Sequence, residues 1–430
     1  MKRLRACRVG RTWNLVGLVL VALLAAVGSA APPEVRAAHE ISHVTTLRVG
    51  GLLDLTSGWT SLGRASKVTL AIAANQANRQ LAKAGSPLRI RLQIVDVRGN
   101  PNEAARQLRR LARHGVRVFI GPESSSEVRA VRTVANRLGV LIVSQGSTAH
   151  SLAVTGDNVF RLVPDDQREA EALVALLKHD HVKAVAPIWR DDAGNAGLVK
   201  SLKARFKGRI SHGVAYSTTE SDFATPVAAL RQQVGVFQGR KVGKVAVYLA
   251  GFDEVVDLFH AAAGDKTLGS VPWYGSDGVA LTTRVIKDAP AAAFAAEHGY
   301  PNPTLGLDAK AERRSAGLRA RVRAKLGTEP DAFALTTYDA LQIIPRAAKR
   351  AGGVSPIGRF KREFARIAHG YEGVTGRIVL NAAGDRAFGS FDFWAVCRSG
   401  AGFAWERTYS YLATGIGHGR IVQRQTCHTG

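Results

Sequence analysis

VRVFIGPESSSEVRAVRTVANRLGVLIVSQGST, residues 116–148, contains two strands, the helix between them and the loop that follows each strand. Val116, Val118 and Ile120 alternate as in a strand and run into Gly121-Pro122. Val128, Val131, Ala135 and Leu138 then recur at helical spacing. Residues 140–143 form the next strand. The first loop carries Ser124-Ser125-Ser126, placed to cap the helix, and the second is Ser144-Gln145-Gly146-Ser147-Thr148. Two neighbouring strands therefore end in loops rich in hydroxyls and glycine. This order predicts an α/β fold whose ligand loops gather at the carboxyl ends of the strands.

The same rhythm extends in both directions. Upstream, Thr45, Leu47 and Val49 alternate into Gly50-Gly51, the loop Leu55-Thr56-Ser57-Gly58-Trp59 follows, and a helix is expected over residues 61–80. A second strand ends at Val95-Asp96, and a helix from about Asn102 ends at Gly115. Downstream of Val163-Pro164 a second series begins. Its strands end at Trp189-Arg190-Asp191-Asp192, at Ala250-Gly251-Phe252-Asp253 and at Gly275-Ser276-Asp277-Gly278. Residues 330–351 read as a helix that Pro345 should kink or end. Residues 377–380 and the alternating Phe391, Phe393 and Ala395 read as late strands that return to complete the sheets. The remaining segment from Arg398 has Gly-rich stretches and few helix signals.

At 430 residues the chain has room for two domains. Lys2, Arg3, Arg5, Arg8 and Arg11 precede an apolar run at residues 15–27, and Gly28-Ser29-Ala30 supplies small residues for cleavage. A second cleavage site is available at Val35-Arg36-Ala37. The run is short for a membrane span, so residues 1–30 are expected to be a signal peptide and the product secreted. Cys7 precedes the run and cannot be a lipidated cysteine of the mature chain. Cys397 and Cys427 remain, and in an oxidising compartment they are expected to pair. The formal charge is +25, and removal of residues 1–30, with five basic and no acidic residues, leaves +20. The basic residues are scattered over many helices, as at Arg106, Arg109, Arg110 and Arg113, without an arginine-rich arm. That pattern describes a solvated basic surface rather than a nucleic-acid interface.

Catalytic motifs carry little here. His39-Glu40-Ile41-Ser42-His43 matches the HExxH pattern of zinc hydrolases, but it stands directly before a strand and has no third ligand in view. Gly415-Ile416-Gly417-His418-Gly419 lacks the complete dinucleotide fingerprint and reads as a loop. The hydroxyl loops are more informative. Each has a plain reading as caps and turns; together they supply donors for an anion such as a carboxylate. Asp277 in the second series, or its rival Asp253, offers an acid for an ammonium group.

These residues, in this order, resemble the branched-chain amino-acid binding proteins, the periplasmic type I receptors of ABC importers. The resemblance covers residues 45–396. It rests on Leu55-Thr56-Ser57-Gly58, on Asp96 with Asn100-Pro101 and Ala104-Ala105, on Gly121-Pro122 with the serines, and on residues 144–148. It continues through Asp277, Tyr338-Asp339-Ala340, Gly373-Val374-Thr375-Gly376 and Gly384-Asp385-Arg386. The resemblance implies two lobes, each a mainly parallel sheet flanked by helices, joined by three crossings and closing on ligand by a hinge. It places residues 44–163 with about 298–380 in one lobe and residues 164–297 with about 388–397 in the other, leaving 398–430 as a tail. It implies a membrane permease and an ATPase as partners, with no cofactor and no nucleic acid. By the same resemblance Ser125, Ser147 and Thr148 would hold an α-carboxylate and Asp277 the α-ammonium. Phe252 stands where the family often has an aromatic, and Trp59 would border the side-chain pocket. The sequence departs at Gly194-Asn195, where amino-acid binders often carry a tyrosine and then a glycine. The expected function is extracytoplasmic capture of an amino acid or related small carboxylate. A receptor signalling to a membrane partner, and a secreted metal-dependent hydrolase using His39 and His43, are the competing classes.

Overall fold

The computed structural model describes residues 44–427. The segment read as a signal peptide and the motif at residues 39–43 lie outside them. Strand and helix alternate from the start: β1 (Thr45–Leu53), α1 (Thr60–Lys83), β2 (Leu88–Asp96), α2 (Pro101–Arg113), β3 (Val118–Ile120), α3 (Ser125–Leu138), β4 (Leu141–Ser144) and β5 (Val159–Pro164). The second series is α4 (Asp166–His179), β6 (Ala184–Arg190), α5 (Ala193–Arg205), β7 (Arg209–Ile210), β8 (Val214–Tyr216), α6 (Ala224–Gly239), β9 (Val245–Ala250), α7 (Val255–Ala262) and β10 (Trp273–Tyr274). Then come α8 (Thr283–Lys287), α9 (Ala289–Glu297), β11 (Asn302–Leu305), α10 (Ala309–Leu326), α11 (Ala332–Ala351) and α12 (Ile357–Ala368). The chain ends with β12 (Glu372–Gly373), β13 (Gly376–Arg377), β14 (Asp385–Arg386), β15 (Phe391–Ser399), β16 (Gly402–Gly415) and β17 (His418–Gln423).

The first lobe is built on a six-stranded parallel sheet in the order β14-β5-β4-β3-β1-β2. Val118, Phe119, Ile120, Leu141, Ile142 and Val143 are all fully buried, as expected of parallel strands with helices on both faces. Val49, Ile120 and Val143 pack with α1, α11 and α12 on one face; Leu52, Phe119 and Ile142 pack with α2 and α3 on the other. The second lobe repeats the plan. Its parallel sheet runs β10-β9-β6-β7, with β8 also pairing with β6, between one core that includes α6, α7 and α9 and another that includes α4 and α5. The chain passes between these two groups of cores at residues 164–166, 305–309 and 386–391. This is the two-lobed architecture of type I periplasmic binding proteins. No helix among the described residues is long and apolar enough to cross a membrane.

Two regions depart from the local reading of the sequence. Pro345 does not end α11, which continues to Ala351 and is capped by Gly352 at φ 72°. A proline inside a helix costs about 3 kcal/mol. Its neighbours Ile343, Ile344, Ala347 and Ala348 all lie in the first lobe's core, and each isoleucine contributes about 1.5–3 kcal/mol by burial. The second region is the C-terminus. β15, β16 and β17 form an antiparallel meander beside β11, and Phe391, Phe393 and Tyr411 join the second lobe's core. Ile416-Gly417 is the turn between β16 and β17, with Gly417 at φ 75°. Cys397 and Cys427 form a disulfide, Cα to Cα 5.2 Å, that ties the chain end back to β15.

Candidate functional site

The loops after β3 and β4 are laced together by their hydroxyls. Ser124 caps α3 by accepting from the Glu127 amide, and the Glu127 carboxylate accepts from the Ser124 amide in return. Ser124 is thus occupied, and Ser125 follows it as the first residue of α3, 4 % exposed. Its Oγ lies 3.1 Å from Ser147 Oγ and accepts from the Ala149 amide at 3.1 Å. Ser144 Oγ donates to the Pro122 carbonyl at 2.7 Å and accepts from the Ser147 amide. Behind them Arg161, fully buried on β5, forms a bidentate pair with Asp385 of β14 at 2.7 and 2.6 Å. The same guanidinium donates to the carbonyls of Ser147 and Ala149. The hydroxyl loop is thereby fixed to two strands at the crossings between the lobes.

The second lobe brings acids and an aromatic ring to the opposite wall. Asp277 follows β10, is 8 % exposed, and its amide donates to Glu169 Oε1 on α4 at 3.4 Å. Burial pushes the Asp277 carboxyl up to about 6, counteracted most by the neighbouring Glu169 carboxyl. Gly194, at the start of α5, lies against Ser125: a β-carbon there would stand 3.5 Å from Ser125 Oγ. Ser126 Oγ accepts from the Ala193 amide at 3.1 Å, another contact across the cleft.

Trp59 and Phe252 meet from opposite lobes. Their rings stack with centroids 4.3 Å apart and planes 15° apart, and the Trp59 indole donates to the Gly278 carbonyl at 2.9 Å. The edge of Phe333 closes against Trp59. Asp253 is committed to closure: its amide donates to the Gly58 carbonyl and its Oδ2 accepts from the Ser61 amide. Trp59 and Asp277 line one cavity of about 240 Å³ together with Leu62, Gly278, Thr282 and Phe333. On the other side of the stack lies a second cavity of about 170 Å³, lined by Glu127, Arg190, Asp192 and Phe252. Arg190 covers the Phe252 ring at 5.4 Å and pairs with Asp192 at 3.1 Å. Ser125, Ser147 and Gly194 are therefore drawn together, while Asp277 shares a cavity with Trp59, whose ring stacks on Phe252.

Two residues at this site escaped the sequence reading. Asp166 and Glu169 stand in the first turn of α4 behind Thr148, where acids read as ordinary companions of a helix N-terminus. Both are buried, and burial drives both carboxyl groups well above their usual range; the charge of Asp277 adds to the effect in each.

The region from residue 67 to residue 399 matches the receptor family ligand binding region. The chain belongs to that family. The family is one of ligand-binding proteins, not of enzymes. A relative from Methanocaldococcus jannaschii, an uncharacterized protein, is 25% identical over 404 residues, 89% of this chain and 95% of the relative. A Leu/Ile/Val-binding protein homolog of Brucella abortus is 27% identical over 275 residues, 62% of this chain and 69% of the relative. Among solved structures, a solute-binding protein of an ABC transporter from R. palustris, in complex with benzoate, superposes with a TM-score of 0.68 at 18% identity. That likeness covers 87% of this chain and 99% of the other. The resemblance to branched-chain amino-acid binding proteins seen in the sequence stands, and so does the type I fold.

Proposed function

We propose that this chain is an extracytoplasmic solute-binding protein of an ABC importer, capturing an amino acid or related small carboxylate between its lobes. The observation that carries the reading is the pairing of walls: hydroxyls of Ser125, Ser147 and Thr148 on one lobe, buried Asp277 on the other. Ser125 and Ser147 share one hydrogen bond but hold two hydroxyl protons, so one remains to donate to a carboxylate. Asp277 supplies the counter-charge for an ammonium group. A relative named for binding Leu/Ile/Val and a structural neighbour holding benzoate have ligands that share a carboxylate, which is the group the hydroxyl wall suits. A ligand touching both walls favours the closed lobes over the open ones by the contacts it gains on closure. A membrane permease and its ATPase are the partners this role requires, and the basic, apolar and small-residue order of residues 2–30 is the export signal it requires.

Titration calorimetry of the protein against amino acids and benzoate tests the reading. Binding of an amino acid that is lost in Asp277→Asn and weakened in Ser125→Ala supports it. Unchanged affinity in both variants removes the site assignment.

A further inference from the structure

Along the chain the basic residues are scattered; in the fold they gather on one lobe. Residues 44–165 and 306–390, the first lobe, carry 33 Lys and Arg against 15 Asp and Glu, a net +18. Residues 166–305 and 391–427, the second lobe, carry 20 against 17, a net +3. Two stretches of the first lobe, 55–95 and 340–362, hold twelve cations and no Asp or Glu. Ten of the twelve are exposed. These stretches contain α1 and the second half of α11, which pack into the same core. The first acid beyond them, Glu363, is already paired with Arg366 at 2.8 Å. A surface so dominated by one sign of charge attracts an anionic partner.

The same two helices wall an apolar groove of about 560 Å³. Leu47, Leu81, Leu88, Pro345, Ala348 and Val354 line it together with Arg346 and Lys349. Among the described residues, no acid and no aromatic ring lines it. Leu47 and Leu88 stand near the starts of β1 and β2, so the groove lies at the amino ends of the strands, the far end of the lobe from the ligand loops. Arg79 and Lys83 adjoin the lining residues Gln80 and Ala84 of α1 and its C-cap. Apolar walls with cations and no acid fit an amphiphilic anion, with phosphate for the cations and hydrocarbon for the groove. A nucleic acid offers phosphate but no hydrocarbon, and the groove has no ring for a base to stack on. We propose that the first lobe docks by this end onto an anionic phospholipid bilayer, with headgroup phosphates at Arg79, Lys83, Arg346 and Lys349 and acyl carbons in the groove. The cleft, at the opposite end of the strands, stays unobstructed in the docked protein.

Co-sedimentation of the chain without residues 1–30 with lipid vesicles tests this. Vesicles of equal parts phosphatidylglycerol and phosphatidylcholine should bind the protein at low salt and release it as salt is raised; phosphatidylcholine alone should not bind it. The fourfold variant Arg79→Gln, Lys83→Gln, Arg346→Gln, Lys349→Gln should bind at least about a hundredfold more weakly, since each cation near such a surface contributes about fivefold. A second variant removes the same charge from the second lobe: Lys178→Gln, Lys200→Gln, Lys207→Gln, Lys244→Gln. It should stay within about threefold of the wild type. All eight side chains are exposed, so both variants should keep the wild-type melting temperature. Should the first-lobe variant fail to fold, Lys83→Gln with Lys349→Gln gives the same comparison, with a loss of about tenfold or more. Equal losses in the two fourfold variants would mean attraction by net charge alone and would overturn docking by this end. Failure of the wild type to bind the charged vesicles at low salt would overturn it too. Tighter binding to a single-stranded DNA oligonucleotide, lost in the first-lobe variant, would make nucleic acid the partner instead.

Discussion

On the first-lobe wall of the cleft, Ser125, Ser144 and Ser147 all have protein partners, and Arg161 holds their loop from behind. On the second-lobe wall, Asp166 has no partner for either oxygen and Glu169 has one oxygen without a partner. One wall is a network of hydrogen-bonded hydroxyls; the other is a cluster of buried acids. The donor wall is preorganised: its geometry costs nothing further when a carboxylate arrives. Burial holds the acid wall toward its neutral form, and a cation beside Asp277 would favour ionisation there. Affinity should therefore depend more steeply on the acids, and stability more on the hydroxyl network.

The largest effect should come from the acid wall. Asp277→Asn removes the partner of a buried ammonium and should weaken an amino-acid ligand by about 2–5 kcal/mol, thirtyfold or more. Ser125→Ala should cost less, about 1.5–3 kcal/mol of binding, because a single bond to a charged oxygen is lost. It should also lower stability by about 1 kcal/mol, since Ser125 accepts from the Ala149 amide in the empty protein. Thermal melts and calorimetry on the two variants check both halves. If Ser125→Ala proves the more damaging to binding, the contrast between the walls is wrong.

A pH series sharpens the same contrast. Asp277 and Asp253 are each raised to about 6 by burial, above the value of about 3.9 for an unfolded aspartate. The folded state then holds these protons more tightly than the unfolded state. Their contribution to stability is full below about pH 4 and is lost as pH rises through about 6. A ligand ammonium acts in the opposite sense, favouring ionised Asp277. Affinity should rise between pH 5 and pH 7, with proton release on binding near pH 5, while the melting temperature of the empty protein loses ground relative to Asp277→Asn. Affinity that falls over this interval would mean that the ligand is not held through a cation at Asp277.

How much of this the sequence disclosed follows from which signals are local. The strands ending at Gly121, Ser144 and Gly275, and the helices between them, are legible because their apolar spacing is regular and their loops begin with glycine or hydroxyl residues. Ser125, Ser147, Thr148 and Asp277 could be chosen because strand ends are where such sheets gather their ligand loops. Asp166 and Glu169 were hidden, because acids in a first helical turn serve the helix well with no further role. Only tertiary packing turns them inward. Pro345 does not end its helix for a related reason: the core on both sides of it outweighs the local break. β15 was legible as a strand, but β16, β17 and the separate antiparallel sheet they form with it were not, because that pairing is set by β11, nearly a hundred residues earlier.

The smallest effect should come from the aromatic clasp. Trp59→Phe keeps a ring to stack on Phe252 and removes one donor, the indole N–H that reaches the Gly278 carbonyl at 2.9 Å. In the open state water can satisfy that carbonyl, so the loss falls on closure alone. A net loss of about 1 kcal/mol is expected, about fivefold in affinity. Because the bond forms only after the lobes meet, most of the change should appear as faster ligand release rather than slower capture. Stopped-flow kinetics separates the two rates. A loss as large as that of Asp277→Asn would invert the order of effects: the lobes would be held by the Trp59–Phe252 contact, and the charged ligand would choose a cleft that the aromatic pair closes.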